Sequence, residues 1–318
     1  MTLRGLRLAV SHAFHDWKRD ISPSARAILW IGILIQGYAI YAAISRSLVW
    51  PLMWPTGIPL FASIGILYGI GGIFYNGVLS SEFVRKTRME ADVIAARSIQ
   101  RTLQPETLEA PSGYEMDASS EPFRTVGGDY FDVVRLSTNR TLIAVADVSG
   151  KGMAAALLSA NLQALVRTLA AMDDDPRQLA VRMNQHLSRH TPGDRFATAV
   201  FIVLDHESGA LTWVNAGHNP PILVSAGTAE RLNATGIPLG MFEHSPYAAQ
   251  STVLPPGGVL LVFTDGLTDA IQADDSDATL VETMVRQPDL PVSRIRALCD
   301  PALVEDDVTI VRLARRRN

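Results

Sequence analysis

Four aspartates stand where short apolar runs meet glycine or further acid: Asp129 in V-G-G-D-Y-F-D, Asp147 in A-D-V-S-G-K-G, Asp265 in F-T-D-G-L and Asp306 in E-D-D-V-T. A carboxylate on a loop at a strand end can point into a cleft while the strand anchors its backbone. Hard divalent cations such as Mg²⁺ and Mn²⁺ take oxygen ligands, chiefly carboxylates and water. Acids gathered from distant segments repel one another unless a cation neutralises them. One Asp-Gly is a turn signal. Four acids in this setting point toward a metal, although spacing alone does not name the chemistry. The single cysteine, Cys299, leaves no disulfide framework and no multi-cysteine zinc site. It reads as a small buried apolar side chain.

The elements that must position these acids begin near Pro105. Leu142 to Val148, Phe196 to Leu204, Leu211 to Val214, Pro221 to Val224, Val259 to Thr264 and Val308 to Leu313 are short Val/Ile/Phe-rich runs between Gly and Pro, and read as strands. Ala154 to Ala171 and Pro176 to His190 read as helices, the second with proline in its first turn. Strands dominate and helices come in pairs, which predicts an α+β layered fold rather than a doubly wound parallel sheet.

Other polar residues carry less. His218, in N-A-G-H-N-P-P, could work as an acid or base, but Gly217 and Pro220 mark a corner and favour a turn-stabilising role. Arg124 reads as solvated rather than as a phosphate clamp. Asp132 is either a supporting carboxylate or a plain strand residue. Asp173, Asp174 and Asp175 read as a solvated stretch before Pro176, and Asp274, Asp275 and Asp277 as an exposed loop. A net charge of −4 gives no reason to expect nucleic acid as a partner.

Taken in order, V-G-G-D-Y-F-D, A-D-V-S-G-K-G-M-x-A-A, N-A-G-H-N-P-P, G-x-P-L-G, F-T-D-G-L and E-D-D-V-T-I-V resemble the SpoIIE-like branch of the metal-dependent (type 2C) serine/threonine protein phosphatases. The resemblance covers residues 96–314. The helix end from Ala96 to Pro105 resembles the segment before that domain in stress-response phosphatases acting on anti-anti-sigma factors. What the resemblance implies is an αββα sandwich, two antiparallel sheets flanked by helix pairs, with two Mn²⁺ or Mg²⁺ ions at one end. Asp129, Asp147, the Val148 carbonyl, Asp265 and Asp306 would hold them, Asp306 rather than Asp307 because the pattern puts the ligand first. Such a pair, about 3.5–4 Å apart, activates water for in-line attack on phosphorus, so no catalytic side chain is expected. The implied substrate is phosphoserine or phosphothreonine on a cytoplasmic regulatory protein, of the STAS-type anti-anti-sigma class. The stretch from Asp265 to Asp306 is short for the family, and Asp269 stands where glutamate is common. Substrate-binding residues are not assigned. A nucleotidyl cyclase also uses paired metals behind a helical linker, but the motif order fits the phosphatase. A catalytically weak pseudophosphatase serving as a docking module is the alternative reading.

The resemblance does not reach the N-terminal part. Ala27 to Ile44 and Ile58 to Leu79 carry no charge and are about long enough to span a bilayer. They predict a two-span transmembrane hairpin over 27–80, turning near Pro51 and Pro55, with Trp50, Trp54 and Tyr75 at interfacial depth. Arg4, Arg7, Lys18, Arg19 and Arg26 precede it, Arg85, Lys86 and Arg88 follow it, and the connection holds only Arg46. By the positive-inside rule both termini and the 105–318 domain lie in the cytoplasm, the protein being multi-pass in the cell inner membrane. Residues 1–26 read as a juxtamembrane segment on anionic lipid. Gly65 and Gly69 offer a close-packing pair for a homodimer. Residues 81–104 read as a signalling helix continuing from the second span, with Met89, Val93, Ala96 and Leu103 in rough heptad spacing, broken by polar Gln100, and Pro105 as its stop.

Overall fold

The computed structural model describes residues 27, 30–35, 37–38, 40–41, 58–103, 105, 108–191 and 195–317, without the side chains of 58–68 and 74. The chain divides into two compact units, Met1–Asp92 and Val93–Asn318. In the first unit, the described residues between 27 and 41 are helical; α1, Ile58–Leu103, begins in this unit and ends in the second. Leu34, Tyr38 and Ile73 are 69%, 69% and 73% exposed there. The juxtamembrane segment 1–26, the turn between the expected spans and part of the first span lie outside the described residues. Among the described residues, the helix long and apolar enough to cross a membrane is Met153–Ala170, which packs in the core of the second unit.

The second unit is built from two antiparallel sheets. In chain order its strands are β1 (Tyr114–Glu121), β2 (Tyr130–Arg135), β3 (Arg140–Val148), β4 (Ala197–Asp205), β5 (Ala210–Ala216), β6 (Ile222–Ser225), β7 (Thr228–Arg231), β8 (Gln250–Val253), β9 (Val259–Phe263) and β10 (Val308–Arg315). One sheet runs β1-β10-β9-β6-β7 and the other β2-β3-β4-β5-β8. Helices α2 (Met153–Ala170) and α3 (Pro176–His190) cover the second sheet. The first is covered by α4 (Asp265–Asp269), α5 (Ser276–Arg286) and α6 (Val292–Arg296), so three short helices stand where a pair was expected.

Strand periodicity distributes the apolar side chains among three layers. On β3, Leu142, Ala144, Ala146 and Val148 face α2 and α3, while Ile143 and Val145 face the other sheet. On β9, Leu260 and Val262 point between the sheets, while Val259, Leu261 and Phe263 pack against α5 and α6. Both faces of each central strand are buried, which is why these runs read as continuously apolar. Cys299 joins the outer layer at 7% exposure, as its sequence setting predicts.

Helix ends explain two acidic runs. Asp175 caps α3 by accepting from Arg177 N at 2.9 Å, with Pro176 in the first turn, and Asp174 pairs with Arg140. Asp275 caps α5 by accepting from Ala278 N at 2.8 Å, and Asp277 pairs with Arg231 at 2.6 Å. The stretch expected to be an exposed loop is therefore the start of a helix.

Candidate active site

Sheet register brings the four acids to one end. Tyr130 pairs with Ala146, so Asp129 lies one step beyond the last β2–β3 pair, beside Asp147. Ile310 pairs with Phe263 across β10 and β9, which puts the end of β9, leading into Asp265, beside the start of β10, where Asp306 and Asp307 enter. In antiparallel neighbours the end of one strand meets the start of the next. The acids come from both sheets, and their charges act on one another: Asp265, Asp306 and Asp307 all bear on Asp147.

Each carboxylate has a distinct setting. Asp129 is 6% exposed and accepts from Thr264 Oγ1 at 2.8 Å; Thr264 Oγ1 in turn accepts from Thr309 N at 2.9 Å. Burial, then the Asp147 charge, pushes the Asp129 carboxyl well above its usual range. Asp147 is half-buried near the end of β3, and burial followed by the neighbouring acids raises its carboxyl to about 7. Asp306 is 42% exposed; its Oδ2 stands 2.8 Å from Lys151 Nζ and its Oδ1 accepts from Asp307 N at 2.9 Å. The Val148 carbonyl ends β3 beside Gly128, at 3.0 Å from where a Cβ on that glycine would lie. Asp265 is exposed at the start of α4.

Asp307 does different work from Asp306. It is 9% exposed and accepts from Phe123 N at 2.8 Å, Gly128 N at 2.6 Å and, at 3.5 Å, Asp129 N. A Cβ on Gly127 would lie 2.5 Å from the Asp307 carboxylate, so this loop closes over the acid only because residue 127 has no side chain. Asp307 thus positions the loop that carries Asp129. The paired acids in E-D-D-V-T were visible in the sequence, but not this division of labour.

Gln100 also missed notice, as a polar break in an apolar stripe. Its Nε2 donates to Gly127 O at 2.7 Å and its Oε1 accepts from Gly127 N at 3.2 Å. The end of α1 is further held by Gln163 Nε2, which donates to Leu103 O. The position that interrupts the heptad is the one that grips the loop before Asp129.

The remaining candidates fall away from the chemistry. Asp132 is fully buried and pairs with Arg167 at 2.7 and 3.1 Å, with Tyr130 Oη donating to it at 3.2 Å. Arg124 is exposed, near enough to Lys151 for their charges to oppose. His218 is 4% exposed, its Nδ1 is 2.9 Å from Thr198 Oγ1, its N–H donates to Asn215 Oδ1 at 2.7 Å, and Asn215 Nδ2 donates to its carbonyl at 3.1 Å. Burial lowers its pKa to about 4, so it is neutral at pH 7. It braces the corner after β5. His218→Ala is expected to cost about 2–3 kcal/mol of stability, from a lost hydrogen bond and a cavity, and to leave both limbs of the pH–rate profile in place. Loss of one limb would make the histidine an acid or base instead.

Among the described residues, no three His, Cys, Asp or Glu side chains stand close enough to hold a metal ion as they are arranged. The donor set nevertheless suits a hard cation: carboxylates and a carbonyl at one end of the sandwich, acids that raise one another's proton affinity, and a lysine ammonium already among them.

Two face-to-face antiparallel sheets with helices outside define a PP2C-type α+β domain. The family model of Stage II sporulation protein E (SpoIIE) matches residues 137–316, more than half of the chain, and the chain belongs to that family. It is 32% identical over 202 residues to protein IcfG of Synechocystis sp., covering 55% of this chain and 32% of IcfG. It is 26% identical over 220 residues to phosphoserine phosphatase RsbP of Bacillus subtilis, covering 68% of this chain and 53% of RsbP. The chain therefore spans a third to a half of the length of these relatives. The solved RsbU and RsbW domains of Rv1364c from Mycobacterium tuberculosis superpose with a TM-score of 0.59 at 26% identity, over 67% of this chain and 63% of that one.

Proposed function

We propose that this chain is a membrane-anchored, metal-dependent protein phosphatase that hydrolyses phosphoserine or phosphothreonine on a cytoplasmic regulatory protein of the STAS-type anti-anti-sigma class. The observation that carries the reading is the arrival of Asp129, Asp147, Asp265 and Asp306 at one end of the sandwich from both sheets. Those four, with the Val148 carbonyl, would hold two Mn²⁺ or Mg²⁺ ions. When bound, such ions supply Lewis acidity and a water nucleophile at neutral pH. Thr264 orients the Asp129 carboxylate, and Asp307 fixes the loop on which Asp129 sits. The neutral, enclosed His218 supports the frame.

Membrane anchoring over 27–80, with both termini cytoplasmic, is supported by the uncharged runs, the basic flanks and the exposed apolar side chains at Leu34 and Ile73. Residues 81–104 would carry a signal through Gln100 to Gly127. Insertion of one to four alanines near Ala95 is expected to change phosphatase activity in membranes with a helical phase, because each residue turns the helix by about 100°. Gln100→Ala should flatten that pattern. Equal activity across the series would rule the coupling out.

The substrate reading is tested by phosphoproteomics of a deletion strain and of a strain carrying Asp265→Asn. The same phosphoserine or phosphothreonine sites on a small cytoplasmic regulator should accumulate in both. No shared site would contradict it.

A further inference from the structure

We propose that Lys151 is a resident counter-ion of Asp306, and that a divalent cation must displace its ammonium to take that carboxylate. The proposal rests on the reading of Asp306 as a metal ligand. Lys151 lies in the loop between β3 and α2, four residues after Asp147. Its Nζ stands 2.8 Å from Asp306 Oδ2, donates to the Glu305 carbonyl at 2.7 Å, and lies 5.8 Å from the centre of the Phe123 ring. Carboxylate, carbonyl and ring face together hold an ammonium that would otherwise sweep a wide arc.

The contest is over one carboxylate. Asp306 Oδ1 accepts from the Asp307 amide and Oδ2 faces the Lys151 ammonium, so both oxygens are engaged and Oδ2 already has a cation beside it. An ammonium and a divalent ion at the same carboxylate repel each other. Without metal, the lysine offsets part of the repulsion among the acids, since its charge favours the ionised form of Asp147. Lysine suits the role: a point charge on a flexible stem can hold one oxygen and then swing away, whereas a bidentate guanidinium would be harder to dislodge. Cation binding at Asp306 is then an exchange, and Lys151 sets how much free metal the site requires.

The side chains of Lys151 and Asp306 are 44% and 42% exposed, so the competing pair is screened and its effect modest. Calorimetric titration of Mn²⁺ into the detergent-solubilised full-length chain, at fixed ionic strength, reads it directly. Lys151→Met, which keeps length and removes charge, should bind Mn²⁺ about two- to fivefold more tightly. Asp306→Asn should bind it more weakly, and adding Lys151→Met to Asp306→Asn should change nothing further. Unchanged or weaker binding by Lys151→Met, with Asp306→Asn still impaired, would overturn the exchange and leave the ligand reading standing. Wild-type affinity in Asp306→Asn would overturn both.

Discussion

Replacing Asp147 or Asp265 by asparagine is expected to lower metal-dependent turnover a hundredfold or more while leaving the metal-free fold as stable as the wild type, or more so. The activity loss follows from removing a ligand charge where phosphoryl transfer needs positive charge held in place; losing one such stabilising group costs roughly 10²–10³ in other enzymes. The stability result follows from repulsion. Burial and the nearby Asp265, Asp306 and Asp307 raise the Asp147 carboxyl from 3.8 to about 7. Between those values the folded, metal-free protein binds a proton that the unfolded chain has released, so stability falls as pH rises through the window. Asp147→Asn removes that slope. Melts in chelator from pH 5 to 8 should show a declining wild-type midpoint and a flatter one for Asp147→Asn. A variant that melts well below the wild type at pH 8 would mean the carboxylate is structural.

Asp307→Ala is expected to do the opposite, damaging the fold before the chemistry. Its carboxylate satisfies the Phe123 and Gly128 amides at 2.8 and 2.6 Å, the second in the buried part of the loop. Truncation strands both donors and opens a gap beside Gly127, at a cost of roughly 3 kcal/mol. For a unit of this size that corresponds to a melting shift of roughly 6–12 °C. Asp306→Ala, at a half-exposed carboxylate, should shift the metal-free melt little while impairing metal binding. Equal melting losses in the two variants would erase the distinction drawn between these neighbours.

The central strands were legible in the sequence because both their faces are buried: β3, β4 and β9 each hold an unbroken apolar run, and β10 is apolar but for Thr309 and Arg312 before its last residue. The strands that escaped notice are β1, β2, β7 and β8, and all four lie at sheet edges. Edge strands need few apolar residues and often carry charge that discourages further pairing, so Y-E-M-D-A-S-S-E and T-A-E-R offer little alternation to read. Helix α5 did carry a signal in its Asp275 cap and in Leu280 and Met284 four residues apart, but the cluster of acids reads more easily as a loop.

In the candidate site, the glycine-flanked acids stand out locally. The contacts that arrange them do not. Gln100 reaches Gly127 across 27 positions, Asp307 reaches Gly128 across 179, and Lys151 reaches Asp306 across 155. Such partners are set by sheet order and register, which spacing along the chain does not encode. The pairing of buried Asp132 with half-exposed Arg167 is hidden in the same way: a carboxylate in a strand reveals its partner only when α2 packs over β2.

Metal held at these acids is proposed to hydrolyse a phosphorylated regulator. The most direct measurement is phosphate release from a phosphoserine-bearing STAS-type protein by the full-length chain, first in chelator and then across a titration of Mn²⁺ and of Mg²⁺. No turnover is expected in chelator, saturable recovery with either or both ions, and at most about a hundredth of that recovery with Asp265→Asn at any metal concentration. Turnover that persists in chelator, or full turnover by Asp265→Asn, would contradict this proposal.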